Sequence, residues 1–246
     1  MLPRFYVPDL DPAVSKTALP RDEARHLTRV LRLGEGDEVA VFDGRGHEFA
    51  ARIAAASRDR VQVDLLEPIA PAPESRVPLT LVPAVLKGDK MDDVVRDCTM
   101  MGVTGIDPIV TARSIGRARD ESGGATERWA RVAVSSAKQC RRATVPVISA
   151  PRPYAEWLSA GGAGLRLILV EPSASLGTEQ SLRVLESHAP AALSLLVGPE
   201  GGWTEAEREQ AEAAGCIPVT LGGLTLRADA IAVVAIAIVR FALRDL

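Results

Sequence analysis

The pattern of apolar and polar positions divides the chain into two regimes. Up to about residue 67 the apolar positions mostly alternate. Arg4–Val7, Glu38–Phe42, Glu48–Ala56 and Val61–Leu65 read as strands, and Asp43-Gly44-Arg45-Gly46 reads as a hairpin loop. Between them Ala24, Leu27, Val30 and Leu31 recur at helical spacing, so Arg21–Leu31 reads as one helix. A small barrel is the natural way to close so few strands. Pro68-Ile69-Ala70-Pro71-Ala72-Pro73-Glu74-Ser75 reads as a linker, which places a domain boundary between residues 70 and 71.

After the linker, strands alternate with helices. Leu79–Leu86, Gly105–Val110, Val145–Ile148, Leu165–Val170, Leu193–Val197 and Ile217–Leu221 read as strands. Met91–Met101, Thr126–Cys140, a short piece near Tyr154–Leu158 and Asp229–Phe241 read as helices, and Asp120–Ala125 as a loop. This order predicts an α/β fold with a mostly parallel sheet. Leu193–Val197 has almost no polar face and fits a strand buried on both sides. Asp229–Phe241 is apolar nearly all round and is expected to be buried, in a dimer contact.

Two glycine bends interrupt this second regime. Gly198-Pro199-Glu200-Gly201-Gly202-Trp203 follows one predicted strand, and Thr204 with Glu207 fits a capping box that starts a helix at Glu205. Leu221-Gly222-Gly223-Leu224-Thr225-Leu226-Arg227-Ala228-Asp229 follows another strand in the same way. Loops at the carboxyl ends of parallel strands are where open α/β sheets bind ligands, so the two bends are expected to form one site. Neither bend is a phosphate-binding P-loop, a GxGxxG dinucleotide turn or a GxSxG elbow.

Composition narrows the setting. The 246 residues are 47% hydrophobic and 25% charged, as in ordinary globular proteins. Met1–Leu10 has no apolar core, and Ile231–Val239 is too short to span a bilayer, so a cytoplasmic protein is expected. Cys98, Cys140 and Cys216 fit reduced thiols, and His26, His47 and His188 are too dispersed to suggest a metal. The net charge of −3 hides an uneven distribution: residues 87–152 carry 12 basic and 8 acidic groups, whereas residues 153–246 carry 6 and 11. The middle third is a candidate phosphate-facing surface, or simply a solvated face.

VGPEGGWTEAE at 197–207 and LGGLTLRADA at 221–230 resemble the paired cofactor motifs of the ribosomal RNA small-subunit methyltransferase E family, of the SPOUT class. RFYV and HLTRVLRLGEGDEV resemble that family's PUA-like amino-terminal barrel. LKGDKMDDVVRDCTMMGVTGIDPIVTARS resembles its first βαβ stretch, and Lys138-Gln139-Cys140-Arg141-Arg142 with Pro146 a conserved-type helix end. The resemblance implies a carboxy-terminal trefoil knot, a homodimer, S-adenosylmethionine as cofactor, and methylation of N3 of one uridine in 16S rRNA. It assigns cofactor contacts to Glu171, Gly198, Glu200, Gly201, Gly202, Leu221, Leu226 and Arg227. Arg227 would stabilise charge on the base, with Asp229 as a weaker candidate base. RNA contacts would come from Arg4, Arg25, His26, Arg29, Arg32, Lys87, Lys90, Arg113, Lys138, Gln139 and Arg142. Arg25, Arg29 and Arg32 are expected on one helical face. Trp203 is expected in the core rather than stacking on a base.

Two motifs depart from the family pattern. Leu226-Arg227-Ala228-Asp229-Ala230-Ile231 stands where the family has Leu-Arg-Thr-Glu-Thr-Ala, and Thr99-Met100-Met101-Gly102 where it has Thr-Glu-Leu-Gly. Methylation of a ribose 2′-hydroxyl or another base, and a catalytically silent RNA-binding protein, are the alternatives.

Overall fold

The computed structural model describes residues 2–114, 123–162, 164–172, 185 and 190–245. Part of the loop expected at Asp120–Ala125 lies outside them. By contacts the chain forms two compact units, Met1–Glu74 with Val134–Val145, and Ser75–Ala133 with Pro146–Leu246.

The first unit holds β1 (Arg4–Tyr6), β2 (Lys16–Ala18), β3 (Glu38–Phe42), β4 (Glu48–Ser57) and β5 (Arg60–Pro68) in one sheet of order β1-β3-β4-β5-β2. The β3–β4 pair is antiparallel around the predicted hairpin loop. The edge strands β1 and β2 are not paired with each other, so the sheet is open where closure was expected. Phe5, Leu10, Val41, Ile53 and Val63 fill its core, together with Ala24 and Leu27.

The helix expected over Arg21–Leu31 is α-helical only at Arg21–Arg25, here α1; His26–Leu31 widens into a π-turn. Arg32 then adopts a left-handed conformation, φ 56°, which ends the helix. Arg32 therefore does not continue the face of Arg25 and Arg29, because its backbone has already left the helix.

The second unit carries β6 (Leu79–Pro83), β7 (Gly105–Ile106), β9 (Val147–Ile148), β11 (Leu165–Leu169), β12 (Leu193–Val197) and β13 (Ile217–Val219) in a sheet of order β13-β11-β12-β6-β7-β9. Every pairing in it is parallel. β12 lies between β11 and β6, which is why Leu195 and Leu196 are fully buried. The helices are α2 (Lys90–Met100), α3 (Gly124–Cys140), α4 (Tyr154–Ser159), α5 (Glu205–Ala213) and α6 (Ala228–Ala242). The last part of α3 falls in the first unit.

The strand expected over Gly105–Val110 is two. Pro108 has no N–H to offer a ladder. After it Ile109 still bridges Ala84, just past the end of β6, while β8 (Ile109–Val110) also pairs with β10 (Arg152–Pro153). Asp107 marks the break, accepting hydrogen bonds from Ser149 Oγ at 2.5 Å and Trp157 Nε1 at 3.2 Å. The burial expected all round α6 holds for one face only. Ala232, Ala235, Ile236 and Val239 are buried, but Phe241 is 76% exposed.

Candidate active site

Three loops leave the carboxyl ends of neighbouring strands and converge. Val170–Pro172 follows β11, Gly198–Trp203 follows β12, and Thr220–Arg227 follows β13. Together with Lys90 and Ile231 they line one cleft of about 280 Å³. Both glycine bends thus face the same space, at the carboxyl edge where a parallel sheet presents free backbone groups.

The first bend is held by close packing that a side chain would disturb. A Cβ on Gly198 would sit 3.0 Å from Trp203 Nε1, and that nitrogen donates to Leu169 O at 2.7 Å. Trp203 is therefore a core residue, packed at 5.4 Å between centroids against Tyr154. Gly202 has φ 69°, and a Cβ there would lie 3.0 Å from Glu171 Oε1. Immediately beyond, Thr204 caps α5. Its side chain accepts from Glu207 N, and Glu207 Oε2 accepts from Thr204 N at 2.9 Å. Glu207 Oε1 also accepts from Ala112 N at 2.8 Å, so the cap fastens the segment after β8 to the bend.

Arg113 lies in that segment. It was expected to meet RNA; it is exposed, and its Nη1 donates to Gly201 O at 2.8 Å and braces the bend. Lys90 and Glu200 both line the cleft and pair at 2.6 Å. Burial pushes the Glu200 carboxyl up, but the hydrogen bond and charge of Lys90, with backbone N–H donors, together hold the group below its ordinary value. Arg227 stands at the N-cap of α6, 73% exposed, with Nε 3.2 Å from Asp229 Oδ1. Glu171, Gly198, Glu200, Gly202, Leu221, Leu226 and Arg227 line the cleft, with Gly201 in the same bend. Val170, Leu224 and Ile231 also line it, and their apolar side chains gave no signal in the sequence. Thr220 lines it too: its Oγ1 is buried with no hydrogen-bond partner among the described residues. A buried hydroxyl left unpaired is costly, and a ligand atom in the cleft would satisfy it.

Three expected RNA contacts are occupied within the first unit. Arg4 is bidentate to Glu48, at 2.8 and 3.0 Å, and donates to Ala137 O, Lys138 O and Arg142 O. Arg142 is buried and paired with Glu74. Lys138 pairs with Glu23 at 2.7 Å and lies over the Phe5 ring. These groups hold the end of α3 and its following turn, so their charge is spent on packing. Gln139, His26, Arg29, Arg32 and Lys87 remain exposed, and Arg25 is half-buried.

The description "RNA methyltransferase domain" matches residues 73–240, and "RNA methyltransferase PUA domain" matches residues 19–66. The chain is 35% identical over 217 residues to ribosomal RNA small subunit methyltransferase E of Synechocystis sp., covering 87% of this chain and 69% of that protein. It is 29% identical to the protein of that name from Rickettsia conorii, covering 96% and 94%. Among solved structures it is similar to the Neisseria gonorrhoeae ribosomal RNA small subunit methyltransferase E bound to S-adenosyl methionine. There the TM-score is 0.87 and the identity 31%, covering 98% of each chain. A Legionella pneumophila structure in complex with the cofactor SAM superposes with a TM-score of 0.88 at 25% identity, again covering 98% of each. The chain belongs to the ribosomal RNA small subunit methyltransferase E family.

Proposed function

We propose that this chain is an S-adenosylmethionine-dependent methyltransferase that acts on N3 of a uridine in 16S rRNA. One observation carries the reading: two separate glycine bends and the end of β11 open into a single cleft. Its volume lies near the lower end of the range of about 300–1,000 Å³ common for ligand pockets. The residues fit the cofactor. Leu224, Leu226 and Ile231 offer apolar walls for a purine, Thr220 offers an unpaired hydroxyl, and Glu171 and Glu200 offer negative charge for a sulfonium cation.

When bound, the cofactor supplies an electrophilic methyl group. The chain's own task is to present a nucleophile and manage its charge. Uridine N3 is weakly acidic and must lose its proton, so negative charge spreads to O2 and O4. Arg227 is exposed enough to leave Asp229 and meet that charge. Asp229 pairs with Arg227 but does not line the cleft, and stays the weaker candidate to take the proton. Lys90 is held at the cleft by Glu200 and adds a second cation. Alignment of the reacting atoms supplies much of the remaining rate.

The same reading includes a carboxy-terminal trefoil knot, a domain boundary near residue 70, a cytoplasmic location and a homodimer. The apolar composition of α6, which leaves Val234 and Phe241 exposed in the single chain, supports the dimer. Sedimentation analysis over a range of concentrations tests it, and a monomer throughout refutes it. Calorimetric titration with S-adenosylmethionine, followed by methyl mapping on 16S rRNA treated with the enzyme, tests the function. Methyl groups on a ribose 2′-oxygen would move the chain to another RNA methyltransferase activity. Absence of cofactor binding would leave only an RNA-binding protein.

A further inference from the structure

The first unit carries a second feature that the cleft does not explain. Arg21, Arg25 and Arg29 converge on one carboxylate. Arg25 Nε lies 2.9 Å and Arg29 Nη2 3.7 Å from Asp59 Oδ1, and Arg21 Nη2 lies 3.2 Å from Asp59 Oδ2. The spacing is four residues at each step, but the helix changes type between the steps. Four residues of α-helix turn slightly more than a full circle. Four residues of the wider π-turn turn slightly less. The two drifts offset, and the π-turn at His26–Leu31 brings Arg29 back into line with Arg21. Such turns are rare and are often found at functional sites.

Exposed ion pairs contribute only about 0–1 kcal/mol each, so stability alone is a weak reason to gather three arginines here. Three guanidiniums facing one carboxylate also leave an excess of positive charge. Beside them runs an open groove of about 850 Å³, lined by Ala55, Ala56, Ser57, Gln62 and Arg60, with Arg21 and Asp59 on its wall. Its alanine floor allows a sugar–phosphate backbone to approach the strands closely. Guanidinium forks suit phosphate oxygens as well as they suit a carboxylate.

We propose that Arg21, Arg25 and Arg29 grip an rRNA backbone phosphate at this groove, and that Asp59 occupies the phosphate's place in the free protein. The proposal rests on rRNA being the substrate. Asp59 has two effects. It prearranges the three side chains, and it makes any polyanion displace a competing anion before it binds. Non-specific RNA is thereby held weakly, while RNA that also reaches the methylation cleft is retained.

The experiment is a salt titration of binding to single-stranded oligouridylate, followed by fluorescence anisotropy on the full-length protein. Asp59→Asn is expected to tighten binding several-fold at low salt. The slope of log K against log salt should steepen by about 0.7 for each phosphate contact released from competition. Arg25→Gln should weaken binding, and adding it to Asp59→Asn should cancel most of the gain. Affinity for S-adenosylmethionine should stay unchanged in all variants, and their thermal unfolding, followed by circular dichroism, should match the wild type, which checks that the first unit folds. If Asp59→Asn leaves affinity unchanged or weakens it while the wild type still binds RNA and methylates rRNA, this proposal alone falls. A wild-type protein that binds no RNA at any salt overturns both it and the rRNA reading.

Discussion

Arg4 and Arg227 show how little a residue's charge says about its use. Arg4 is almost completely enclosed, with Glu48 on one side, three carbonyls on the other and the Phe42 ring 4.6 Å away. Breaking one member of a buried pair leaves the other charged and unsolvated, at a cost of about 3–5 kcal/mol. Arg4→Met should therefore lower the unfolding free energy by about that amount in urea titrations; a loss below about 1 kcal/mol would show the pair to be dispensable. Arg227 is open to solvent, and its side chain pairs with Asp229. Arg227→Ala should reduce turnover far more than cofactor affinity, measured by methyl-transfer assay beside calorimetry. Unimpaired turnover would remove it from the chemistry. The family resemblance put both arginines on the candidate list, and a basic side chain looks the same in a string whether its partner is Glu48 or a phosphate.

The elements around the cleft were largely legible. β12, the glycine bend and the capped start of α5 follow from an unbroken apolar run, from glycines and from the Thr204–Glu207 spacing, all of which act within a few residues. Thr204→Ala should cost about 1 kcal/mol of stability. Because the same Glu207 also holds Ala112, it should weaken cofactor binding as well. Calorimetry and thermal unfolding on one sample check both effects, and a stability loss without any change in affinity would separate the cap from the cleft. The π-turn and the break at Pro108 were not legible. Helical periodicity over eleven residues cannot distinguish an α-helix from one that widens midway. A proline within an apolar run shows where a ladder fails, but not which strand receives the chain next.

Across the molecule, the carboxyl end is tied back to the start of its own unit. Asp245 accepts hydrogen bonds from Ser75 Oγ and from Arg76 N at 3.1 Å, and Arg240 Nη1 donates to Met101 O at 2.9 Å. Gly102, φ 88°, leaves room for Arg240; a Cβ there would come within 2.7 Å of Nη1. Burial raises the Asp245 carboxyl, but the hydrogen bonds from Ser75 and Arg76 and the charge of Arg240 hold it below its ordinary value. A depressed folded value means the contribution is complete above the unfolded carboxylate value, about 3.9, and is lost as pH falls through the folded one. Asp245→Asn should therefore be less stable than wild type at pH 7, and the gap should narrow below about pH 4. A gap independent of pH would show that the ionised carboxylate is not what holds this tie.

The order of strands and helices, the parallel sheet and the chemistry of the two bends were written in local patterns, because periodicity, glycine freedom and capping each operate over a handful of residues. That the two bends share one site, with Glu171 beside them, was expected from the sequence; which further residues join them was not. Val170, Thr220 and Ile231 come to the same cleft as Gly198 through strand order, with β12 inserted between β11 and β6. The same long-range packing turned Arg4, Lys138 and Arg142 inward as braces, set Arg113 against the first bend and gathered Arg21, Arg25 and Arg29 on Asp59. Partners chosen across tens of residues depend on the folded path of the chain, and no spacing rule within it encodes them.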